Sequence, residues 1–158
     1  MKAISVSVRI AHSNDIPRIV EIERSWVHLS HWSIDAYHRL IEEDTFTRSL
    51  IAETEQADGK IEIAGFAIFH VADYISEIYN IAVDNCHARL GVGTSLMLQV
   101  MEWSRAEGAR KLMLEVRKSN NGAIGFYNRF GFSISGKRLN YYSNPLEDAH
   151  VMERDLRL

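Results

Sequence analysis

Ile81-Ala82-Val83-Asp84-Asn85-Cys86-His87-Ala88-Arg89-Leu90-Gly91-Val92-Gly93-Thr94-Ser95-Leu96 is the stretch on which the fold turns. It reads as the end of an apolar strand, a glycine-bearing turn and the opening of a helix. Glycine lets a backbone approach a ligand closely, and the first N–H groups of a helix have no intrahelical acceptor. The helix dipole adds a preference for negative charge, so such a turn can cradle an anion, with a pyrophosphate as a natural guest. The same glycines can also serve only to tighten a strand-to-helix connection, and taken alone the residues leave both readings open. Two common nucleotide motifs do not fit. A Walker loop needs Lys-Ser/Thr where Gly93 is followed by Thr94-Ser95, and the dinucleotide pattern needs a glycine where Leu96 stands.

Downstream, Leu96, Val100, Met101 and Ser104 give the helix one apolar face, and Gly108 is a natural C-terminal stop. A short strand over residues 111–116, a helix over 121–129, and strands over 132–139 and about 149–156 follow. Upstream, Ile4, Val6, Val8 and Ile10 alternate as a strand. Pro17 then sits where a first helical turn tolerates it, ahead of a face of Ile16, Ile19, Val20 and Ile22. Ser33 can cap a second helix carrying Ile34, Tyr37, Leu40 and Ile41. Strands over 50–53 and 61–71 are joined through Asp58-Gly59, and another strand runs over 76–83. The order β-α-α-β-β-β-α-β-α-β-β predicts an α/β protein, a mixed central sheet with helices on both faces. A length of 158 residues suits one domain over 1–158.

Composition narrows the function. Net charge is -3 with no Lys/Arg block, a poor basis for gripping phosphates, so no direct nucleic-acid contact is expected. No apolar run is long enough to span a bilayer, and Met1 to Val6 alternate instead of forming the apolar core of a leader. The lone Cys86 cannot form an internal disulfide, which fits a reducing, cytoplasmic setting. With no evident base nearby it reads as an inert turn residue. His28 and His31 are the closest pair among 7 histidines, but no His-Glu-x-x-His string or cysteine partner accompanies them, so no metal site is expected. The acidic run Glu42-Glu43-Asp44 reads as a solvated helix end that can also attract a basic peptide.

Two further residues carry chemistry. Glu115 interrupts the apolar pattern of Leu112-Met113-Leu114-Glu115-Val116-Arg117 near a strand end, where open α/β sheets place ligands. A carboxylate there can act as general base through a water; it can equally be paired with Arg117 or lie at an edge. Tyr127, in Asn120-Asn121-Gly122-Ala123-Ile124-Gly125-Phe126-Tyr127, can donate a proton to a departing thiolate, or can be a core aromatic with a satisfied hydroxyl.

In this order and spacing the three features resemble the GNAT superfamily of acetyltransferases. Arg89 to Thr94 looks like that family's Q/R-x-x-G-x-G/A loop, and Glu115 to Arg117, Asn120, Tyr127 and Phe130-Gly131-Phe132 look like the strand-helix half that follows it. Residues 77–84, Ser119-Asn120, and the tail Asn140-Tyr141-Tyr142 with Glu147-Asp148-Ala149 and Met152 are similar to the RimI-type ribosomal-protein-alanine N-acetyltransferases. The resemblance covers roughly the second half of the chain; earlier it rests on His31-Trp32-Ser33 opening a helix. It implies the GNAT fold and acetyl-coenzyme A as cosubstrate. Arg89, Leu90, Gly91, Val92, Gly93 and Thr94 would wrap the pyrophosphate, and Ile81, Ala82 and Val83 would lie along the pantetheine arm. Asn120 would touch the same ligand, with Glu115 as general base and Tyr127 as general acid in a direct transfer.

Tyr141 and Tyr142, and Trp32 with them, would enclose the acceptor, the N-terminus of a protein such as a ribosomal one. The protein itself is expected as a monomer or weak homodimer. The sequence departs from the family pattern at Ala88, where Gln or Arg is usual, and at Thr94, where many members carry Arg. Both remove a contact to the cosubstrate. A small-amine acetyltransferase, or a coenzyme A-binding partner subunit with little turnover, are the alternatives.

Overall fold

The computed structural model describes residues 4–158; Met1, Lys2 and Ala3, read above as part of the first alternation, lie outside the described residues. Strand β1 (Ser5–Ile10) is followed by α1 (Ile16–Arg24) and α2 (Ile34–His38). Then come β2 (Thr47–Glu55), β3 (Ile61–Ala72), β4 (Ile75–Val83), α3 (Val92–Ala106), β5 (Lys111–Arg117), α4 (Asn121–Arg129), β6 (Ser133–Ser143) and β7 (Leu146–Asp155). This is the predicted order of elements. The strands form a 7-stranded sheet in the order β1-β2-β3-β4-β5-β7-β6. Neighbours are antiparallel except β4 and β5, which run parallel because α3 crosses between them.

Helices cover both faces, as expected. Leu96, Met97 and Val100 of α3 pack with Leu50, Ala67, Phe69, Leu112 and Leu114 on one face, and α4 joins them through Tyr127. On the other face Ile16, Ile19, Val20 and Ile22 of α1 and Tyr37 of α2 cover Ile51, Phe66, Ile68 and Ala82. Buried on both sides, β3 is a continuous apolar run (Ala64, Phe66, Ala67, Ile68, Phe69) instead of an alternation. Gly65 interrupts it for a steric reason. A Cβ there would lie 2.7 Å from the Ala82 carbonyl oxygen and 3.0 Å from Val92 Cγ1, so the missing side chain lets the first turn of α3 sit against the sheet.

Several details differ from the pattern reading, among them β2, which spans Thr47–Glu55 where residues 50–53 are expected. Strand β6 continues to Ser143, past the expected end at residue 139, and so carries Tyr141 and Tyr142. Its pairing with β7 shifts between Arg138 and Tyr142, where Asn140 takes φ +50° and donates its N–H to Asp148 Oδ1 at 2.8 Å. That bulge breaks the period-two signal. Ile34 is exposed, so Tyr37 takes most of the core-facing work of α2, and the chain leaves through a wider turn over Arg39–Glu43. The second feature of the sheet that the pattern hides is another shift, between Ile68 and Phe69 of β3, which leaves Tyr79 of β4 without a partner on β3. A bulge of this kind bends its strand. Among the described residues, no helix is long and apolar enough to cross a membrane.

Gly65→Ala should therefore lower stability by about 1–3 kcal/mol, the usual cost of overpacking a filled core. Urea denaturation followed by circular dichroism measures this, and an unchanged midpoint would show that α3 can yield there.

Candidate active site

The bend at Tyr79 opens the site. Strand β4 pairs with β5 only from Ile75 to Ile78, opposite Lys111 to Leu114. Beyond that the strands part, and a cleft of about 370 Å³ opens, lined by Tyr79 to Val83 on one wall and by Glu115, Val116 and Arg117 on the other. Asn120, Gly122, Ala123, Phe126 and Tyr127 from the start and middle of α4 close it, with Gly93 at its end.

The β4 wall offers free backbone donors. Asp84 donates its N–H to the Ala64 carbonyl at 2.8 Å, so Asp84, Ala82 and Asn80 face β3. By antiparallel alternation Ile81 and Val83 turn their N–H groups to the open side. The Val83 carbonyl, on that same side, accepts from Trp26 Nε1 at 2.8 Å. At the end of this edge Arg89 (φ +62°) and Gly91 (φ +81°) both adopt left-handed backbone. No side chain caps α3, whose first intrahelical bond runs from Ser95 N–H to the Gly91 carbonyl. The N–H groups of Val92, Gly93 and Thr94 are thus the free donors of the helix start. Gly93 matters for space as well: a Cβ there would lie 3.4 Å from the Phe126 ring and 3.5 Å from Val83 Cγ2, filling the gap between the two walls.

Across the cleft, Asn120 caps α4 by accepting from the Ala123 N–H at 3.2 Å, which leaves its amide donors for a ligand. Tyr127 is held between the rings of Phe126 and Phe132, 5.5 and 5.7 Å away, and its hydroxyl makes no hydrogen bond among the described residues. Burial, and then the neighbouring Tyr142, push its phenol well above the ordinary tyrosine range, so it keeps its proton. Tyr142 also lines the cleft, its own phenol pushed up to about 12 by burial and by Glu115, while Arg117 pulls the other way. Glu115 is only 13% exposed and pairs with the Nε of Arg138, not with Arg117. Tyr141 stands beside the same carboxylate, which raises its phenol to about 12. Glu77, on the adjacent strand, has its carboxyl raised by burial and then by the charge of Glu115.

The geometry thus brings together Ile81, Ala82, Val83, Gly93, Glu115, Asn120, Tyr127 and Tyr142, with the Arg89-to-Thr94 turn at one end. Tyr141 and Trp32 lie outside the cleft wall. Trp32 packs against Tyr37 and Tyr79, with ring centroids 5.7 and 5.9 Å away. Its backbone N–H donates to the buried carboxylate of Glu23, which also accepts from the Tyr37 hydroxyl and, at 3.4 Å, from Asn80 Nδ2. The residues that do line the cleft from the α1–α2 connection are Trp26, His28, Leu29 and Ser30, none of which sequence reasoning selected. No motif marks them; only the packing of that connection over β4 does. Among the described residues, no group of three or more His, Cys, Asp or Glu side chains could hold a metal ion.

The acetyltransferase (GNAT) family model matches residues 13–132. This chain belongs to the GNAT family. It is 33% identical over 146 residues to a putative [ribosomal protein bS18]-alanine N-acetyltransferase of Bacillus subtilis, a match spanning 92% of this chain and 93% of that one. The crystal structure of the ribosomal-protein-S18-alanine N-acetyltransferase from Escherichia coli superposes with a TM-score of 0.81 at 28% identity, over 96% of this chain and 94% of that one. Arabidopsis thaliana NAA60, solved in complex with acetyl-CoA, shares the fold at a TM-score of 0.83 and 16% identity, over 98% and 100% of the two chains.

Filling the gap at Gly93 is the cleanest test of the cleft in this GNAT protein. Gly93→Val should weaken coenzyme A binding at least about tenfold, since a side chain wedged between Val83 and Phe126 costs on the order of 1.4 kcal/mol or more. Isothermal titration calorimetry checks this, and equal affinity would mean that the ligand bypasses the cleft.

Proposed function

We propose that the chain transfers an acetyl group from acetyl-coenzyme A directly to the N-terminal α-amine of a protein, the reaction for which its Bacillus subtilis and Escherichia coli relatives are named. One observation carries the reading. A strand edge with free N–H groups runs from a glycine turn to a point faced by a carboxylate and two phenols. The donor set suits coenzyme A. Amides of residues 91–94 meet the pyrophosphate, the Ile81 and Val83 edge meets the amides of the pantetheine arm, and Gly93 leaves room between the walls.

In this scheme Glu115, through a water, takes a proton from the incoming ammonium. Arg138, 54% exposed, swings off the carboxylate as the amine arrives. An α-amine, with a pKa of about 8 against about 10.4 for lysine, asks less of that base. The amine attacks the thioester carbon, and the Val83 N–H donates to the carbonyl oxygen as negative charge develops there. As the oxyanion collapses and the carbon–sulfur bond breaks, Tyr127 gives its proton to the sulfur, and the nitrogen, cationic since its attack, returns a proton to the phenolate and becomes the neutral amide. A ribosomal protein is the proposed acceptor, its N-terminus entering between the Tyr141-Tyr142 end of β6 and the α1–α2 connection; such an acceptor is met in the cytoplasm.

Mass spectrometry of a peptide panel incubated with the protein and acetyl-coenzyme A tests the reaction and the acceptor together. A gain of one acetyl on α-amines is expected, and modification confined to lysines or small amines would overturn the acceptor assignment. Glu115→Gln should lower kcat by about 100-fold or more with coenzyme A affinity nearly intact, as for loss of a general base. Tyr127→Phe should slow thioester cleavage to a similar degree. Because the Tyr127 phenol is raised, the wild-type rate should not fall as pH passes about 10, where an ordinary tyrosine ionises. A fall there would give the proton to another group.

A further inference from the structure

The geometry points to Arg117 as the positioning residue that holds the acceptor side of the cleft in shape. It is the last residue of β5, two positions from Glu115, and only 6% exposed. Its guanidinium donates from Nη1 to the Pro145 carbonyl and from Nη2 to the Asn144 carbonyl, each at 3.1 Å. The same group lies over the Tyr142 ring, 4.2 Å from its centroid, and 3.5 Å from Glu147. One side chain therefore grips the turn joining β6 to β7 at two backbone oxygens and at the aromatic ring that enters the cleft.

Arginine is suited to this and lysine is not. A planar fork can give two parallel hydrogen bonds and stack on a ring at once, whereas an ammonium acts as a single point charge. The arrangement also carries a cost. Among the described residues Nε of Arg117 is buried without a hydrogen-bond partner, and a desolvated cation is a poor source of stability. An apolar side chain of similar length would fill the space without that penalty. The guanidinium makes better sense through what it aligns: Tyr142 beside Tyr127, and with it the end of β6 that carries Tyr141 beside Glu115. This role rests on the proposed transfer to a peptide amine, whose N-terminus would pass under Tyr142.

The test compares Arg117→Met and Arg117→Lys with the unaltered protein. Hydrogen exchange followed by mass spectrometry should show faster exchange over residues 141–147 in Arg117→Met and unchanged exchange over 111–116. Steady-state kinetics should show the KM for the acceptor peptide raised about tenfold or more, kcat changed less, and the dissociation constant for acetyl-coenzyme A within about twofold. Arg117→Lys should recover only part of the acceptor affinity. Unchanged exchange over 141–147 would overturn the proposal. So would a lowered melting temperature with kcat reduced and KM unmoved, the signature of a merely structural residue. If the unaltered protein acetylates no peptide, the transfer reading fails on its own, and the exchange measurement still decides whether Arg117 holds the turn.

Discussion

Strands β4 and β5 share hydrogen bonds only between Ile75 and Ile78, and everything at the site follows from where that pairing stops. An unpaired strand edge inside a sheet leaves backbone donors and acceptors in search of partners, a cost that a folded chain seldom carries without use. Here the edge is kept because the extra residue at Tyr79 bends β4 away. Asn80, just past the bend, is buried and bonded to Glu23 beneath, so the strand beyond the bulge is anchored from below while its other edge stays open. An extended ligand with amides of its own can then complete the sheet, as an added strand would.

The glycine turn and α3 depend on the same strand. Val83 ends β4, Arg89 and Gly91 reverse the chain through left-handed conformations, and α3 returns over β3, where Gly65 removes the side chain that would hold it off. The dipole of a helix of 15 residues then points its positive end along the open edge. On the far wall, β5 is bonded to β7 along its whole length, which makes it the rigid side of the wedge and a firm mount for Glu115. The site is thus one open-edged strand facing one fully paired strand, with α4 bridging them.

Much of this was legible in the sequence. Periods of 2 and near 3.6 gave every helix and strand in order, and the glycine turn, Glu115, Asn120 and Tyr127 all meet at one cleft. What escaped was what periodicity does not encode. A bulge adds residues to one strand and shifts the alternation without changing composition, so neither the bend at Tyr79 nor the extension of β6 through Asn140 could be read from alternation. Trp26 and Trp32 look alike in an irregular segment. Trp26 reaches the cleft because its indole N–H finds the unpaired Val83 carbonyl, while Trp32 is turned inward by the ring of Tyr37 and by Glu23. The partner of Glu115 was also out of reach: the register puts Glu115, Arg117 and Arg138 on one face of the sheet, and only because Arg117 is drawn off to the β6–β7 turn does Arg138 take the carboxylate.

The ionisable groups around the cleft explain why it has this shape instead of a simpler apolar one. Glu23 is fully buried, and burial raises its carboxyl even though Tyr37 and the Trp32 N–H donate to it. Such groups contribute little net stability, because desolvation offsets much of what their hydrogen bonds return. Their benefit is directional. A carboxylate with several donors, or a guanidinium with two carbonyls and a ring, tolerates few alternative arrangements, whereas an apolar contact of equal area tolerates many. Glu23 fixes the α1–α2 connection on one side of the cleft, and Arg117 fixes the β6–β7 turn on the other. The α1–α2 connection is irregular backbone, and only two residue pairs beyond the bulge in β6 hold the β6–β7 turn to the ladder, so regular structure does little to define either. Buried polar contacts supply that definition, and the proposed transfer needs it, because an amine has to be aligned with a thioester to within a fraction of an ångström.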